Sequence, residues 1–191
     1  MINRYSSRTT RLGKQFFNDK LHNARSYDRI AGYFSSSVFE ITGEAIESMS
    51  GKVRLICNSQ IEKEDCETAT AAAAALRREW CGNQPEKVYA SAATRLKRLY
   101  EFIKSGKLEI RVLPDNVFVL IHGKAGVITL ADGSKTSFVG SVNETLAGWR
   151  LNYELLWEDD SPEAAAWVQD EFDYFWQHTS AVPRIINNVP A

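Results

Sequence analysis

The sequence predicts an α/β domain: a mixed β-sheet flanked by helices. Three observations lead there. Strand-like and helix-like segments alternate through the first part of the chain, which implies parallel strands joined by crossovers. Four strand-like segments then follow one another, with the hairpin signal Asp132-Gly133 between two of them, which implies antiparallel additions. Finally, 191 residues with 44% hydrophobic and 25% charged side chains match ordinary globular usage and suffice for one core.

The first strand is expected at 27–34 (YDRIAGYF) and the second at 52–58 (KVRLICN), each apolar or alternating and bounded by Gly, Ser or Asn. Between them, Val38, Ile41, Ala45, Ile46 and Met49 have the spacing of an amphipathic helix. A second helix is expected over 65–80, where five successive alanines favour helix and Gly82 stops it. A third covers 85–105, with Leu96, Leu99, Tyr100 and Ile103 on one stripe and Gly106 beyond its end. The four late strands are expected at 108–113, 117–130, 135–140 and 150–157. Ser161-Pro162-Glu163 then reads as an N-cap with proline in the first turn, opening a helix whose apolar face is Trp167, Val168, Phe172, Phe175 and Trp176. The domain is expected over 1–180, with 181–191, which carries two prolines, as a tail or linker.

Composition excludes several classes. Three cysteines, Cys57, Cys66 and Cys81, fit neither a disulfide framework nor a Cys-x-x-Cys metal knuckle, so they read as free thiols. The N-terminus lacks the apolar stretch of a signal peptide, and no apolar run is long enough to cross a bilayer. A cytoplasmic protein without a membrane partner is expected. The net charge of −1 hides an asymmetry: residues 1–111 carry 19 Lys/Arg against 13 Asp/Glu, and residues 112–191 carry 4 against 11. A nucleic-acid partner would have to meet the first part.

The chemistry is concentrated between residues 121 and 154. His122 and Lys124 are two apart, so a strand would place both on one face. Gly140-Ser141-Val142-Asn143 ends the next strand and offers a hydroxyl and an amide. Imidazole, ammonium, hydroxyl and amide together make an anion site with a nucleophile in it. Imidazole can attack phosphorus while Lys124 and Asn143 stabilise the charge growing on the equatorial oxygens, without a metal or other cofactor. Glu154 is assigned to the far nitrogen of the imidazole, where a carboxylate fixes the tautomer.

This pattern resembles the phospholipase D superfamily, whose signature is His-x-Lys, a downstream Asp and Gly-Ser-x-Asn. The Asp position, five residues after the Lys, holds Thr129 here; Asp132 is the nearest acid. The Gly-Ser comes four residues later than in the usual spacing, an excess that fits within the 131–135 turn. Glu154 lies eleven residues after Asn143, where single-motif nucleases of the superfamily carry their site Glu. The opening YDRIAGYFSSSVFE also resembles the first strand and helix of phospholipase-D-like modules in restriction endonucleases and in helicase-type phage-defence proteins. The resemblance implies a metal-independent nuclease in which two histidines act, one attacking phosphorus and one protonating the leaving oxygen. One copy of the motif is present, so the resemblance implies a homodimer with His122, Lys124, Ser141, Asn143 and Glu154 contributed by each subunit. DNA is expected ahead of RNA, in restriction or phage defence, with a helicase-type partner or fused domain.

Other readings stand beside this one. His22 and His178 lack such company, though either would remove the need for a dimer if it supplied the acid. Arg95, Lys97 and Arg98, and separately Arg4, Arg8, Arg11 and Lys14, are candidate phosphate-backbone contacts or simply solvated faces. Tyr33 and Phe34 are candidates for base stacking or for the core. A catalytically weak dimerisation or nucleic-acid-binding module, and a lipid phosphodiesterase, are the alternative functions.

Overall fold

The computed structural model describes residues 1–58, 63–80, 94–113 and 121–178. Cys81, the first part of the helix expected at 85–105, the start of the strand expected at 117–130, and the tail at 181–191 lie outside the described residues.

Seven strands form one mixed sheet, in the spatial order β1 (Ile2–Ser6), β7 (Leu155–Asp159), β6 (Lys135–Gly140), β5 (Lys124–Thr129), β2 (Ser26–Ile30), β3 (Val53–Cys57) and β4 (Leu108–Val112). β2, β3 and β4 are parallel, and their crossovers carry α2 (Phe39–Ser48), α3 (Lys63–Trp80) and α4 (Thr94–Lys104). β5 joins β2 antiparallel, and β6, β7 and β1 continue antiparallel from it. The expected mixed sheet is therefore present, with parallel pairing early and antiparallel pairing late.

Three local expectations are corrected. β2 ends at Ile30, because from Ala31 the chain turns away to pair Phe34 with Glu144 in a single parallel bridge. The strand expected at 150–157 starts later: residues 147–151 form a π-helical turn, Ala147–Leu151, that buries Trp149. β5 starts at Lys124, so His122 precedes the strand. The chain also contains β1 and a helical segment, π-helical Gly13–Asn18 running into α1 (Asp19–Leu21), which lacked a clear sequence signal.

One face of the sheet buries Tyr27, Leu55, Ile128, Phe138 and Leu156 against Phe16, Phe17, Phe39 and Leu99 of the helical layer. Phe17 stacks on Trp149 with centroids 4.2 Å apart, so the first helical segment is locked to the π-helical turn before β7. The opposite face is covered by α5 (Pro162–His178), whose Phe172 packs with Ile30, Ile56 and Ile121. α5 reaches across to β6 but packs little on β7 and β1 at the sheet's edge. Ile2, Val139, Leu155 and Trp157 stay substantially exposed, together with Trp167 of α5. No helix among the described residues is long and apolar enough to cross a membrane.

Candidate active site

The register places five chain segments at one end of the sheet. Ile30 is opposite Ala125, Lys124 opposite Gly140, Gly140 opposite Leu156, and Ser6 opposite Leu155. The end of β2, the start of β5, the end of β6, the start of β7 and the end of β1 therefore meet. Ligands of open α/β sheets gather where strand ends and loops converge in this way.

Gly140 makes the convergence possible. A Cβ there would lie 2.2 Å from the Leu155 carbonyl oxygen, so only glycine lets β6 and β7 close up at this point. Beyond it, the Ser141 amide donates to Leu155 O at 3.0 Å, and the Leu155 amide donates to Ser141 Oγ at 3.1 Å. The Ser141 hydroxyl in turn donates to the Glu154 carboxylate. Glu154 is buried, takes a longer bond from Asn152 Nδ2 at 3.4 Å, and is tied by two bonds to Ser7, the residue after β1. The imidazole contact expected of Glu154 is not made within the single chain. Its carboxylate serves Ser141, and among the described residues no side chain hydrogen-bonds the exposed His122 ring.

Asn143 is held by the segment after β2, which the sequence reading assigns to the strand itself. Its Oδ1 accepts the Gly32 and Tyr33 amides, each at 3.1 Å, which leaves the Nδ2 hydrogens as the donors available to an anion. Gly32 stands between the functional groups. A Cβ built on it would meet Asn143 Oδ1 at 3.0 Å, Ile121 O at 3.2 Å and Lys124 Cε at 3.6 Å. Lys124 and Asn143 thus flank one glycine. The Lys124 ammonium donates to the His122 carbonyl oxygen at 2.8 Å, a bond that ties the pair together through backbone rather than through a shared strand face. Both residues line a cavity of about 370 Å³ whose walls include Ile121, Val139, Trp167 and Phe175.

Beneath the site lies a charge pair without a sequence signature. Arg29 is fully buried in β2, and its Nε donates to Glu144 Oε2 at 2.9 Å. It also donates to the Val142 carbonyl and stacks over Phe138 at 5.0 Å, while its Nη1 has no partner among the described residues. Tyr27 OH adds a 3.3 Å bond to the same Glu144 oxygen. Burial pushes the Glu144 carboxyl up, and Arg29 opposes the shift. Because Arg29 grips Val142 and Glu144, it brackets Asn143 from behind. Lys124 is held below the ordinary lysine value by burial, with Glu154 pulling it back up and Arg29 adding to the fall. Lys124, Glu154 and Arg29 are therefore electrostatically in touch.

The remaining expected contacts sit elsewhere. Arg95 pairs with Glu64 at 3.0 Å and Asp65 at 3.7 Å and bonds Ser36 Oγ at 3.0 Å; Arg98 bonds Phe39 O at 2.9 Å and pairs with Glu47 at 3.3 Å. Lys97 is exposed on α4. Thr129, at the motif's Asp position, lies at the far end of β5 and bonds Ser26 Oγ at 3.0 Å, while Asp132 is consumed by its own turn through Ser134. Phe34 is core, whereas Tyr33 is 40% exposed. Among the described residues no three His, Cys, Asp or Glu side chains gather to hold a metal ion.

Fold and motif together define a phospholipase-D-like domain. The chain belongs to the family described as cardiolipin synthase, PLD-like domain, which matches residues 17–176. Among solved structures it is similar to Nuc from Salmonella typhimurium, a phospholipase D family member, with TM-score 0.53 and 14% identity over 94% of this chain and 95% of that one. NucT from Helicobacter pylori matches with TM-score 0.52 and 13% identity over 94% of this chain and 98% of its own. Polyphosphate kinase from Porphyromonas gingivalis matches with TM-score 0.54 and 9% identity, over 95% of this chain but 27% of its own. At these identities the likenesses concern fold. No curated protein sequence matches the chain.

Proposed function

We propose that the chain is a metal-independent nuclease that cleaves phosphodiester bonds of DNA, ahead of RNA, through a phosphohistidine on His122, and that it serves restriction or phage defence. The observation that carries this reading is the meeting of His122, Lys124, Asn143 and the Ser141–Glu154 pair at one end of the sheet. The His122 ring nitrogen attacks phosphorus, the P–O bond to the leaving strand breaks, and the leaving oxygen takes a proton from a second imidazole. Water then attacks the phosphohistidine, giving up its proton to that second imidazole and restoring His122. Lys124 and Asn143 Nδ2 donate to the equatorial oxygens in both steps. Ser141 and Glu154 hold the β6 and β7 ends in register beside them.

The second imidazole comes from another copy of the chain. His22 is at the opposite end of the sheet, 3.4 Å from Ser48 Oγ and one turn before Arg25, whose amide bonds Thr129. The exposed apolar group Val139, Leu155, Trp157 and Trp167 adjoins the cavity that holds His122, which supports docking of a second copy there. A helicase-type partner or fused domain fits the same defence setting.

The test is cleavage of single- and double-stranded oligonucleotides in excess EDTA. Activity that persists there, disappears in His122→Ala, survives in His178→Ala and yields an acid-labile phosphorylated His122 is the expected result. Strict dependence on added magnesium, or full activity in His122→Ala, overturns it.

A further inference from the structure

Arg8, Arg11, Lys14 and Arg150 are exposed, and among the described residues none of them forms an ion pair. They belong to two backbone segments that touch beside the site. Ser7 bonds Glu154 from both sides, its amide to Glu154 O at 3.0 Å and its Oγ receiving the Glu154 amide at 2.8 Å, and Arg8 follows it directly. The Thr10 amide returns to Ser6 O at 2.9 Å, so the chain doubles back and sets Arg11 beside the same strand end. Lys14 is next to Gly13, where a Cβ would lie 3.1 Å from the carbonyl oxygen of Trp149, the neighbour of Arg150. Between Arg150 and Glu154 stands Tyr153, 70% exposed. Across the site, Tyr33 is 40% exposed while its amide holds Asn143.

Burial in the fold does not account for the Tyr153 ring, which stands in solvent next to the buried Glu154. Aromatic rings alternating with unpaired cations are, however, the composition that binds single strands: cations track phosphates, and rings stack bases that are free of a duplex. We infer that this rim is a binding strip for single-stranded polynucleotide, with Arg8, Arg11, Lys14 and Arg150 on the phosphates and Tyr153 and Tyr33 stacking bases on either side of the scissile position. The position of the scissile phosphate rests on the phosphodiesterase reading above. Arg95 and Arg98, spent in ion pairs and backbone bonds on α4, contribute nothing to the strip.

The strip is tested on the full chain by fluorescence anisotropy of a labelled single-stranded oligonucleotide and of its duplex, across a salt series. Turnover of bis(p-nitrophenyl) phosphate, a diester too short to reach the strip, is followed in parallel. The wild type is expected to bind the single strand more tightly than the duplex. The triple variant Arg8→Gln/Arg11→Gln/Arg150→Gln should flatten the slope of log affinity against log salt by about 2, at ~0.7 for each lost single-strand contact. Tyr153→Ala should weaken single-strand binding roughly tenfold with the salt slope unchanged, and Tyr153→Phe should restore it. Retained turnover of the small diester shows that these variants are folded. Wild-type affinity and slope in the triple variant, equal or tighter binding of duplex, or binding of phosphatidylglycerol vesicles in place of oligonucleotide overturns the inference. If His122→Ala still turns over the small diester, it is the catalytic reading that fails, and the anisotropy series continues to decide the strip.

Discussion

Lys124 is pulled in two directions. Burial disfavours its charge, the Arg29 guanidinium adds to that, and the Glu154 carboxylate favours it, with a net lowering. In the proposed mechanism the ammonium is the form that stabilises an equatorial oxygen, and it exists below the lysine's own pKa. Activity should therefore fall as pH rises through a value lower than that of an ordinary lysine. In Lys124→Arg the charge persists at high pH. A kcat/KM profile should show the alkaline limb displaced upward in that variant, with a reduced plateau because a planar fork replaces a compact ammonium. An alkaline limb unmoved by the substitution would assign it to another group. Arg29 makes the companion case for stability. Arg29→Met leaves Glu144 buried beside Tyr27 without its counter-charge, and loss of one partner of such a pair costs about 3–5 kcal/mol. Denaturant titration should show Arg29→Met/Glu144→Gln recovering much of that loss. Recovery of the fold without recovery of kcat would mark the pair as a positioning device for Asn143.

Strand ends do the assembling, and Glu158 of β7 shows how the element is fastened. It takes Lys20 Nζ at 2.6 Å, Thr136 Oγ1 at 2.7 Å, Tyr5 OH at 2.8 Å and Asn3 Nδ2 at 3.2 Å, so α1, β6 and β1 all converge on one carboxylate. Burial raises its pKa, but the bonds from Lys20, Thr136 and Tyr5 outweigh burial and hold it below the usual glutamate value. A depressed acid stabilises the fold above its unfolded pKa, and that contribution disappears as pH falls through the folded value. Glu158→Gln should cost about 1–3 kcal/mol at neutral pH, and wild type and variant should converge in acid. Parallel pH-dependent melts would show it. β1, one of the strands fastened here, was illegible in the sequence: INRYS alternates too little, and its strand state depends on β7 rather than on its own residues. The hairpin was legible because Asp132-Gly133 encodes its turn locally, with Gly133 at φ 93°. The chemical groups of the site were legible as a motif, whereas their supports were not. Gly32, Ser7 and Arg29 act through contacts more than a hundred residues away in the chain, and Glu144, although directly after Asn143, carries no local sign of its distant partner Arg29.

At the scale of the molecule, charge and apolar surface are sorted to different places. Arg8, Arg11 and Lys14 near the N-terminus reach the site through β1 and the turn after it and join Arg150 there, so a chain with a net charge of −1 still presents four cations beside its candidate active site that form no ion pair among the described residues. The apolar surface is on the α5 side, where the helix packs on β5, β6, β2 and β3 but leaves Val139, Leu155 and Trp157 partly open and turns its own Trp167 outward. An apolar group of this kind, next to a site that the proposed mechanism leaves one imidazole short, is where a symmetric partner would both bury surface and deliver the second one. Arg4 stacks over the Trp157 ring at 5.1 Å and so places one cation on that surface. Trp157→Glu should therefore dissociate the protein into monomers in sedimentation velocity while its far-ultraviolet circular dichroism stays native, since the ring is half exposed in the single chain. The same variant should lose activity by about 10²–10⁴-fold, the contribution of a positioned general acid. A monomeric Trp157→Glu protein that cleaves at the wild-type rate would show that one chain supplies both imidazoles, and a dimer that persists in the variant would place the interface on another face.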